Sequence, residues 1–108
     1  MARTMIVTTL RAGADARRRM LSALARGERY AGVFFHSDGV GAACIAAESN
    51  AWRTLATRHR VPLALCSASA ARRGIEPDAA PGGFTLAGIG YLAELLEAGG
   101  PIDVADDA

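Results

Sequence analysis

Short apolar runs alternate along the chain with longer segments in which apolar residues recur at helical spacing. The runs at residues 4–9, 30–36 and 61–66 are rich in β-branched, aromatic or large aliphatic side chains, which is typical of buried strands. A further short run at residues 102–105 precedes the acidic end of the sequence. Each of these four runs is predicted to be a strand.

The segments between the runs carry residues that begin and end helices. Helices are predicted from about Ala16 to residue 26, over 46–59, directly after Cys66, and over 85–99. The expected N-caps are side chains that can accept a backbone N–H, namely Asp15, Ser67 or Ser69, and Thr85. The glycines expected to end helices are Gly27, Gly74 and Gly99.

Strands that alternate with helices indicate βαβ units and therefore a parallel sheet. We expect a single α/β domain over residues 1–108, with a mainly parallel sheet of four to five strands and helices on both faces. Aromatic residues are only 6% of the chain, so small aliphatic side chains must form most of the core. In such sheets the reactive site lies at the carboxyl ends of the strands. Cys44 and Cys66 both lie at or just past such an end.

Composition excludes several classes of function. No apolar run approaches the roughly 18 residues of a membrane span, and no secretory signal is recognised, so a reducing cytoplasm is expected. The two cysteines and two histidines lack metal-ligand spacing. Gly88 and Gly90 lack the third glycine and the preceding strand of a dinucleotide site, and are interpreted as close-packing positions. No metal and no cofactor are predicted.

The charges are unevenly distributed, because all twelve basic residues are Arg and none lies beyond Arg73. This asymmetry is compatible with an RNA or acidic-partner footprint, or with solvated faces on different helices, and the second interpretation is favoured. No aromatic residues are interleaved with the arginines, as a single-strand binder would need. We therefore expect no direct nucleic-acid partner and no membrane partner.

Cys66 has the setting of a reactive thiol. It ends a predicted strand and precedes a helix, whose free N–H groups favour the thiolate. Arg72 and Arg73 follow within two turns, and Ser67 is small enough to let another sulfur approach. A buried structural cysteine fits this position equally well, so position alone leaves both interpretations open.

Three motifs occur in order along the chain: VFFHSDGV at 33–40, LALCSASAARRGI at 63–75 and GFTLAGIGYLAEL at 83–95. Together they resemble the DsrE/TusD family. The resemblance implies a three-layer α/β/α fold and a sulfurtransferase whose persulfide forms on Cys66. It also implies sulfur donor and acceptor proteins, assembly into trimers or hexamers of like or homologous subunits, and a role in tRNA thiolation or sulfur oxidation.

Other residues near the predicted site receive secondary roles. Cys44 is a candidate resolving thiol, although a small apolar filler is the more frequent role of such a cysteine. His36 and Asp38 are expected to line the pocket of Cys66 as a hydrogen-bonded pair. His59 is interpreted as a surface residue.

The last predicted helix carries two apolar faces. The stripe expected to cover the sheet consists of Leu86, Ile89, Leu92, Ala93 and Leu96. Tyr91 and Leu95 lie off this stripe beside glycines, and are expected to form a subunit contact.

Two alternatives to a sulfur carrier are a non-catalytic subunit of the same kind of oligomer and a small-anion sensor.

Overall fold

A computed structural model describes residues 2–76 and 80–106 and shows one sheet of five parallel strands. The strands are β1 (Arg3–Val7), β2 (Tyr30–Phe35), β3 (Leu63–Cys66), β4 (Thr85–Ala87) and β5 (Ile102–Ala105). The helices are α1 (Gly13–Ala25), α2 (Ala46–His59), α3 (Ser67–Arg72) and α4 (Ile89–Glu97), with a 3₁₀ segment at Ser37–Cys44.

The order of the strands across the sheet is β4-β3-β2-β1-β5. The predicted α/β class, the parallel sheet and the four predicted strands are confirmed, although three of the strands are shorter than expected. The predicted bounds of α2 and β5 agree with the structure. The structure adds one strand, β4, to the four that the pattern predicted.

The prediction that Thr85 caps the last helix is wrong. Thr85 begins β4, which pairs with β3 through Ala64↔Thr85 and Cys66↔Ala87. The helix begins at Ile89 after an extended Gly88. Pairing with a neighbouring strand therefore overrides the helical tendency of a Leu-Ala sequence.

The other two predicted N-caps are also corrected, although α3 does begin directly after Cys66 as expected. The residue before α1 is Ala12, whose N–H donates to Thr9 Oγ1 at 3.2 Å, while Asp15 lies in the first turn and pairs with Arg18 and Arg19. Cys66 itself is the N-cap residue of α3, so Ser67 and Ser69 lie inside that helix. The predicted glycine stops are confirmed as left-handed backbone just beyond the helices.

The sheet face towards α1 and α2 holds the main core. Met5, Val7, Val33, Phe35 and Leu65 have no exposed surface and share one cluster with residues of both helices. The largest of the helix residues is Trp52, which meets Phe35 edge to face at 5.0 Å between ring centroids. Its Nε1 has no hydrogen-bond partner among the described residues, and the Arg17 guanidinium lies 5.2 Å from the ring centroid.

A polar cluster fastens the edge strand β5 at the border of this core. Arg3 donates to the Asp103 carboxylate through Nε at 3.0 Å and Nη2 at 2.8 Å, and the Tyr30 hydroxyl donates to it at 2.7 Å. The hydrogen bond from Arg3 is the main reason that the pKa of Asp103 lies below its ordinary value. Burial, followed by the hydrogen bond to Asp103, raises the pKa of Tyr30 to about 12.

The opposite sheet face carries a smaller cluster under α4. Phe34, Ala64 and Cys66 are buried there and pack against Ala87, Tyr91 and Leu92. With α1 and α2 on one face and α4 on the other, the molecule has the expected three layers, α/β/α.

The predicted orientation of α4 is wrong. Leu95 is buried and Tyr91 is half-buried, whereas Ile89 is 70% exposed and Leu96 is 40% exposed. Gly32 of β2 makes this possible, because a Cβ there would lie 3.0 Å from the Tyr91 hydroxyl oxygen and 3.6 Å from Leu95 Cδ1. The helix therefore rests on the sheet through Tyr91 and Leu95, which were expected to face a partner, together with Leu92 of the predicted stripe.

Candidate functional site

The site forms at the carboxyl edge of the sheet, where β2 and β3 end side by side. The pairs Phe34↔Ala64 and Phe35↔Leu65 fix their register, so the 3₁₀ segment that follows β2 meets the helix α3 that follows β3. Cys66 is the last residue of β3 and is only 6% exposed. Its location at this edge agrees with the rule that open parallel sheets react at the carboxyl ends of their strands.

The surroundings of Cys66 favour its ionised form. Burial of the thiol raises its pKa, but hydrogen bonds from the Ser69 hydroxyl and from the backbone N–H groups of Ser69 and Ala68 lower it. The charge of Arg72 lowers it further, and the net pKa of Cys66 lies below that of an ordinary thiol. Such a cysteine is a better candidate for a nucleophile than a fully buried structural thiol.

Ser69 is the site residue that sequence reasoning missed. The sequence indicated Ser69 only as a helix cap or as a small neighbour of Cys66, yet its side chain is almost fully buried at 2% exposure. Its Oγ accepts a hydrogen bond from the Ser37 backbone N–H at 2.9 Å and from Arg72 Nη2 at 3.1 Å. One signal could have found it, because Cys66, Ser69 and Arg72 are spaced three residues apart and such spacing brings side chains together on a helix.

A cavity of about 490 Å³ opens beside this group and is lined by Ser37, Asp38, Ser69, Arg72 and Arg73. Arg73 Nη2 donates to the Asp38 carboxylate across the cavity. The structure thus brings Arg72, Arg73 and Asp38 together, as the sequence suggested.

His36 and Ser67 lie differently from this group. The His36 ring stacks on Phe34 at 6.4 Å between centroids, and no hydrogen bond to Asp38 is found in the described part of the chain. The expected His36–Asp38 pair is therefore replaced by the Asp38–Arg73 pair. Ser67 is exposed at the first position of α3.

A tight turn shapes the wall of the cavity after β2. The expected loop is a 3₁₀ segment, and Ser37 at its start has a φ of 55°, in the left-handed region that costs an L-residue energy. Gly39 is required by space, because a Cβ there would lie 2.2 Å from the carbonyl oxygen of Val7. The turn packs against the end of β1 and directs the Ser37 N–H towards Ser69.

Cys44 lies at the far end of the 3₁₀ segment and is exposed, while Cys66 is buried. Both cysteines are free thiols. The described contacts include none between the two sulfur atoms, so the resolving role of Cys44 stays a prediction.

Several other expectations concern the arginines, the glycines of the last helix, metal sites and membrane spans. Arg3, Arg17, Arg18, Arg19, Arg26 and Arg73 form ion pairs with carboxylates, which reduces the positive field that a nucleic-acid surface would need. A Cβ at Gly88 or Gly90 would meet open space, so neither glycine is a close-packing position within this chain. Within residues 2–76 and 80–106 we find no group of side chains that could hold a metal ion. Among the same residues, no helix is both long enough and apolar enough to cross a membrane.

Comparison with known proteins identifies one family and several similar proteins. The profile of the DsrE/DsrF-like family matches residues 2–100. Proteins named "Sulfurtransferase TusD" from Salmonella paratyphi B and Salmonella newport are each 37% identical over 90 residues, covering 66% of this chain and 70% of the relative. The same name, identity and coverage apply to the protein from Salmonella enteritidis PT4.

Proposed function

The chain belongs to the DsrE/DsrF-like family, and from this premise we propose that it is a sulfur-relay protein that carries sulfane sulfur as a persulfide on Cys66. The relatives named sulfurtransferase support the transferase role. The observation that carries the choice of residue is the lowered pKa of Cys66 at the carboxyl edge of the sheet.

The proposed reaction has two displacement steps. In loading, the Cys66 thiolate attacks the outer sulfur of a donor persulfide, so that a Cys66–S–SH bond forms, the donor S–S bond breaks and the donor thiolate leaves. In discharge, an acceptor thiolate attacks the outer sulfur on Cys66, the S–S bond to Cys66 breaks and the Cys66 thiolate leaves. Each step exchanges one S–S bond for another, so no cofactor and no external oxidant are needed.

The residues around Cys66 have distinct proposed roles. Arg72 stabilises the thiolate by its charge, and the Asp38–Arg73 pair offers both signs of charge to a docking protein. Ser67 and Ala68 are exposed and small, which leaves a path for another sulfur to reach Cys66. His36 supports the Phe34 ring beside the thiol by stacking on it.

The docking partners are proposed to include further copies of the same or a homologous domain, in a trimer or hexamer. The supporting observation is exposed apolar surface on α4 and β5, at Ile89, Leu96, Ile102 and Val104. Tyr91 and Leu95 no longer support this proposal, because they pack on the sheet. We place the protein in the cytoplasm, where thiols stay reduced, in tRNA thiolation or sulfur oxidation.

The two alternatives are less well supported by the geometry. A non-catalytic subunit has no need of a cysteine with a lowered pKa. A sensor of small anions would draw on the positive charge of the cavity, and Asp38 neutralises one of the two arginines that line it, Arg73.

The test is persulfide formation on the intact protein. Incubation with a sulfane-sulfur donor, followed by mass spectrometry, should add about 32 Da, the mass of one sulfur, to the peptide that holds Cys66. Cys66→Ser should abolish this addition, and the matched control Cys44→Ser should keep it. Sulfur found only on Cys44, or retained in Cys66→Ser, would refute the assignment.

A further inference from the structure

The guanidinium of Arg72 lies beside the site without a carboxylate partner among the described residues. Its one described hydrogen bond runs from Nη2 to Ser69 Oγ at 3.1 Å. Because a guanidinium offers several N–H donors in a planar fork, most of the donors of Arg72 are unused in residues 2–76 and 80–106. Its neighbour Arg73 differs, because it donates to the Asp38 carboxylate. The positive charge that is left uncompensated beside the site is therefore that of Arg72.

A chain of hydrogen bonds holds this guanidinium in place. The Ser37 backbone N–H donates to Ser69 Oγ at 2.9 Å, and Arg72 donates to the same oxygen. Because only 2% of Ser69 is exposed, water competes weakly for this oxygen. Both Ser69 and Arg72 line the cavity of about 490 Å³, whose volume lies within the range of about 300–1,000 Å³ that is typical of small-molecule sites. The guanidinium is thus positioned at the wall of a space that can hold a small molecule.

The cavity lies close to the thiol along α3. Ser69 and Arg72 follow Cys66 by three and six residues, and each step of three residues advances about 4.5 Å along a helix axis. Such spacing places the three side chains on the same side of the helix. Cys66 is only 6% exposed, so a small donor reaches its sulfur more readily than a sulfur carried by another folded protein does.

We propose that this cavity binds the oxyanion group of a small sulfane-sulfur donor of the thiosulfate class, with Arg72 as the binding residue. A planar guanidinium fork matches a group with two adjacent oxygen atoms, such as a sulfonate or a carboxylate. Thiosulfate joins such a group directly to a sulfane sulfur, so its outer sulfur can meet Cys66 while its oxygens meet Arg72. This inference rests on the proposed role of Cys66 and adds a substrate class to it.

The loading step from thiosulfate balances without a further reactant. The Cys66 thiolate attacks the outer sulfur, a new S–S bond forms on Cys66, and the S–S bond of thiosulfate breaks. The electron pair of the broken bond leaves with the inner sulfur as sulfite, whose developing charge Arg72 stabilises. The outer sulfur of the resulting persulfide lies about 2 Å beyond the buried thiol, where an acceptor thiolate reaches it more easily.

The first experiment compares two alkylating reagents that differ in charge. Iodoacetate carries a carboxylate and iodoacetamide is neutral, but both attack the same thiolate, so a change in the ionised fraction of Cys66 cancels in the ratio of their rates. In a Cys44→Ser background, Arg72→Gln should lower the iodoacetate-to-iodoacetamide ratio about fivefold near pH 7. Arg58→Gln removes the same charge from an exposed position near the end of α2, and should leave the ratio unchanged.

Competition by sulfate separates a binding site from a general electrostatic field. At constant ionic strength, sodium sulfate should slow the reaction of iodoacetate with the parent until the effect saturates, and should lose this effect in Arg72→Gln. An iodoacetate-to-iodoacetamide ratio that is equal in the parent and in Arg72→Gln overturns the proposal, as does inhibition by sulfate that persists in the variant.

The second experiment measures loading from thiosulfate. The parent should gain about 32 Da, the mass of one sulfur, on the peptide that holds Cys66, and should release an equal amount of sulfite. Arg72→Gln should be loaded about fivefold more slowly. Loading by inorganic polysulfide but not by thiosulfate overturns this inference and leaves the sulfur carrier intact, whereas no loading by either donor refutes the proposed function together with the inference that rests on it.

Discussion

The two faces of the sheet carry side chains of different size and are covered to different extents by helices. The face under α1 and α2 is filled by large side chains such as Met5, Phe35 and Trp52, each with no exposed surface. The face under α4 carries one large buried ring, Phe34, beside the small residues Gly32, Ala64 and Cys66, and its covering helix leaves Ile89 exposed. The difference leads us to expect that the first face supplies most of the stability, while the second face is thinly covered around Cys66.

The largest expected effect tests the stability half of this comparison. Phe35→Ala removes a ring that contacts both Trp52 and Phe84, and it should lower the free energy of unfolding by about 3–5 kcal/mol. Leu92→Ala, at a half-buried position on the other face, should cost clearly less. Urea unfolding measures both, and equal losses would show that the two faces contribute alike.

The next effect concerns the exposed surface of α4. Ile89→Glu should reduce the assembled protein to a mass near the 11.2 kDa of one chain, because a carboxylate cannot be buried unpaired in an apolar contact. Thr57→Glu, on the exposed side of α2, should leave the assembly intact. Light scattering behind a sizing column gives the masses. An assembly that persists in Ile89→Glu would place the subunit contact elsewhere.

A third prediction concerns the pH dependence of stability, which should involve Asp103 on one face of the sheet and leave Cys66 on the other face unaffected. The pKa of Asp103 is depressed in the folded protein, so its contribution to stability is complete above the ordinary carboxyl pKa of about 3.9 and is lost as the pH falls through the folded pKa. Asp103→Asn should therefore flatten the fall of stability in acid, measured by thermal unfolding between about pH 6 and pH 2. The pH dependence of Cys66 alkylation by iodoacetamide, measured in a Cys44→Ser background, should be unaffected, because Asp103 faces the α1 side. A change in that profile would couple the two faces.

The smallest effect distinguishes the two arginines of the site. Arg73→Ala should slow alkylation of Cys66 near pH 7 less than Arg72→Ala does, because Asp38 already neutralises Arg73 whereas Arg72 bonds to Ser69. The rate of Cys66 alkylation by iodoacetamide at pH 7, in a Cys44→Ser background, measures both effects. An equal or larger effect of Arg73→Ala would mean that the Asp38 pair opens in solution.

The sequence was informative where local pattern decides structure. The bounds of α2 followed from its apolar spacing, and the place of Cys66 followed from the strand before it and the helix after it. β4 was missed because three residues become a strand only through pairing with β3, which is distant along the chain. Once Thr85–Ala87 were assigned to the helix, the predicted face of α4 included Leu86, and the helix was rotated away from its true contact.

The sequence predicted only part of the candidate site, because some of its contacts join residues that are distant along the chain. Cys66, Arg72 and Arg73 belong to one contiguous motif, and Asp38 reaches them only through the turn after β2. The hydroxyl oxygen of Ser69 accepts a hydrogen bond from a backbone N–H thirty-two positions away, at Ser37. No local pattern contains that contact.

Trp52 gives the molecule a built-in optical probe. It is the single tryptophan of the chain, it has no exposed surface, and its Nε1 has no described hydrogen-bond partner. Its fluorescence should therefore be emitted at short wavelength, resist quenching by solutes, and shift to the red only when α1 and α2 separate from the sheet. Because the indole lies on the face opposite Cys66, its emission should report unfolding and should change little if sulfur is added to Cys66 as proposed.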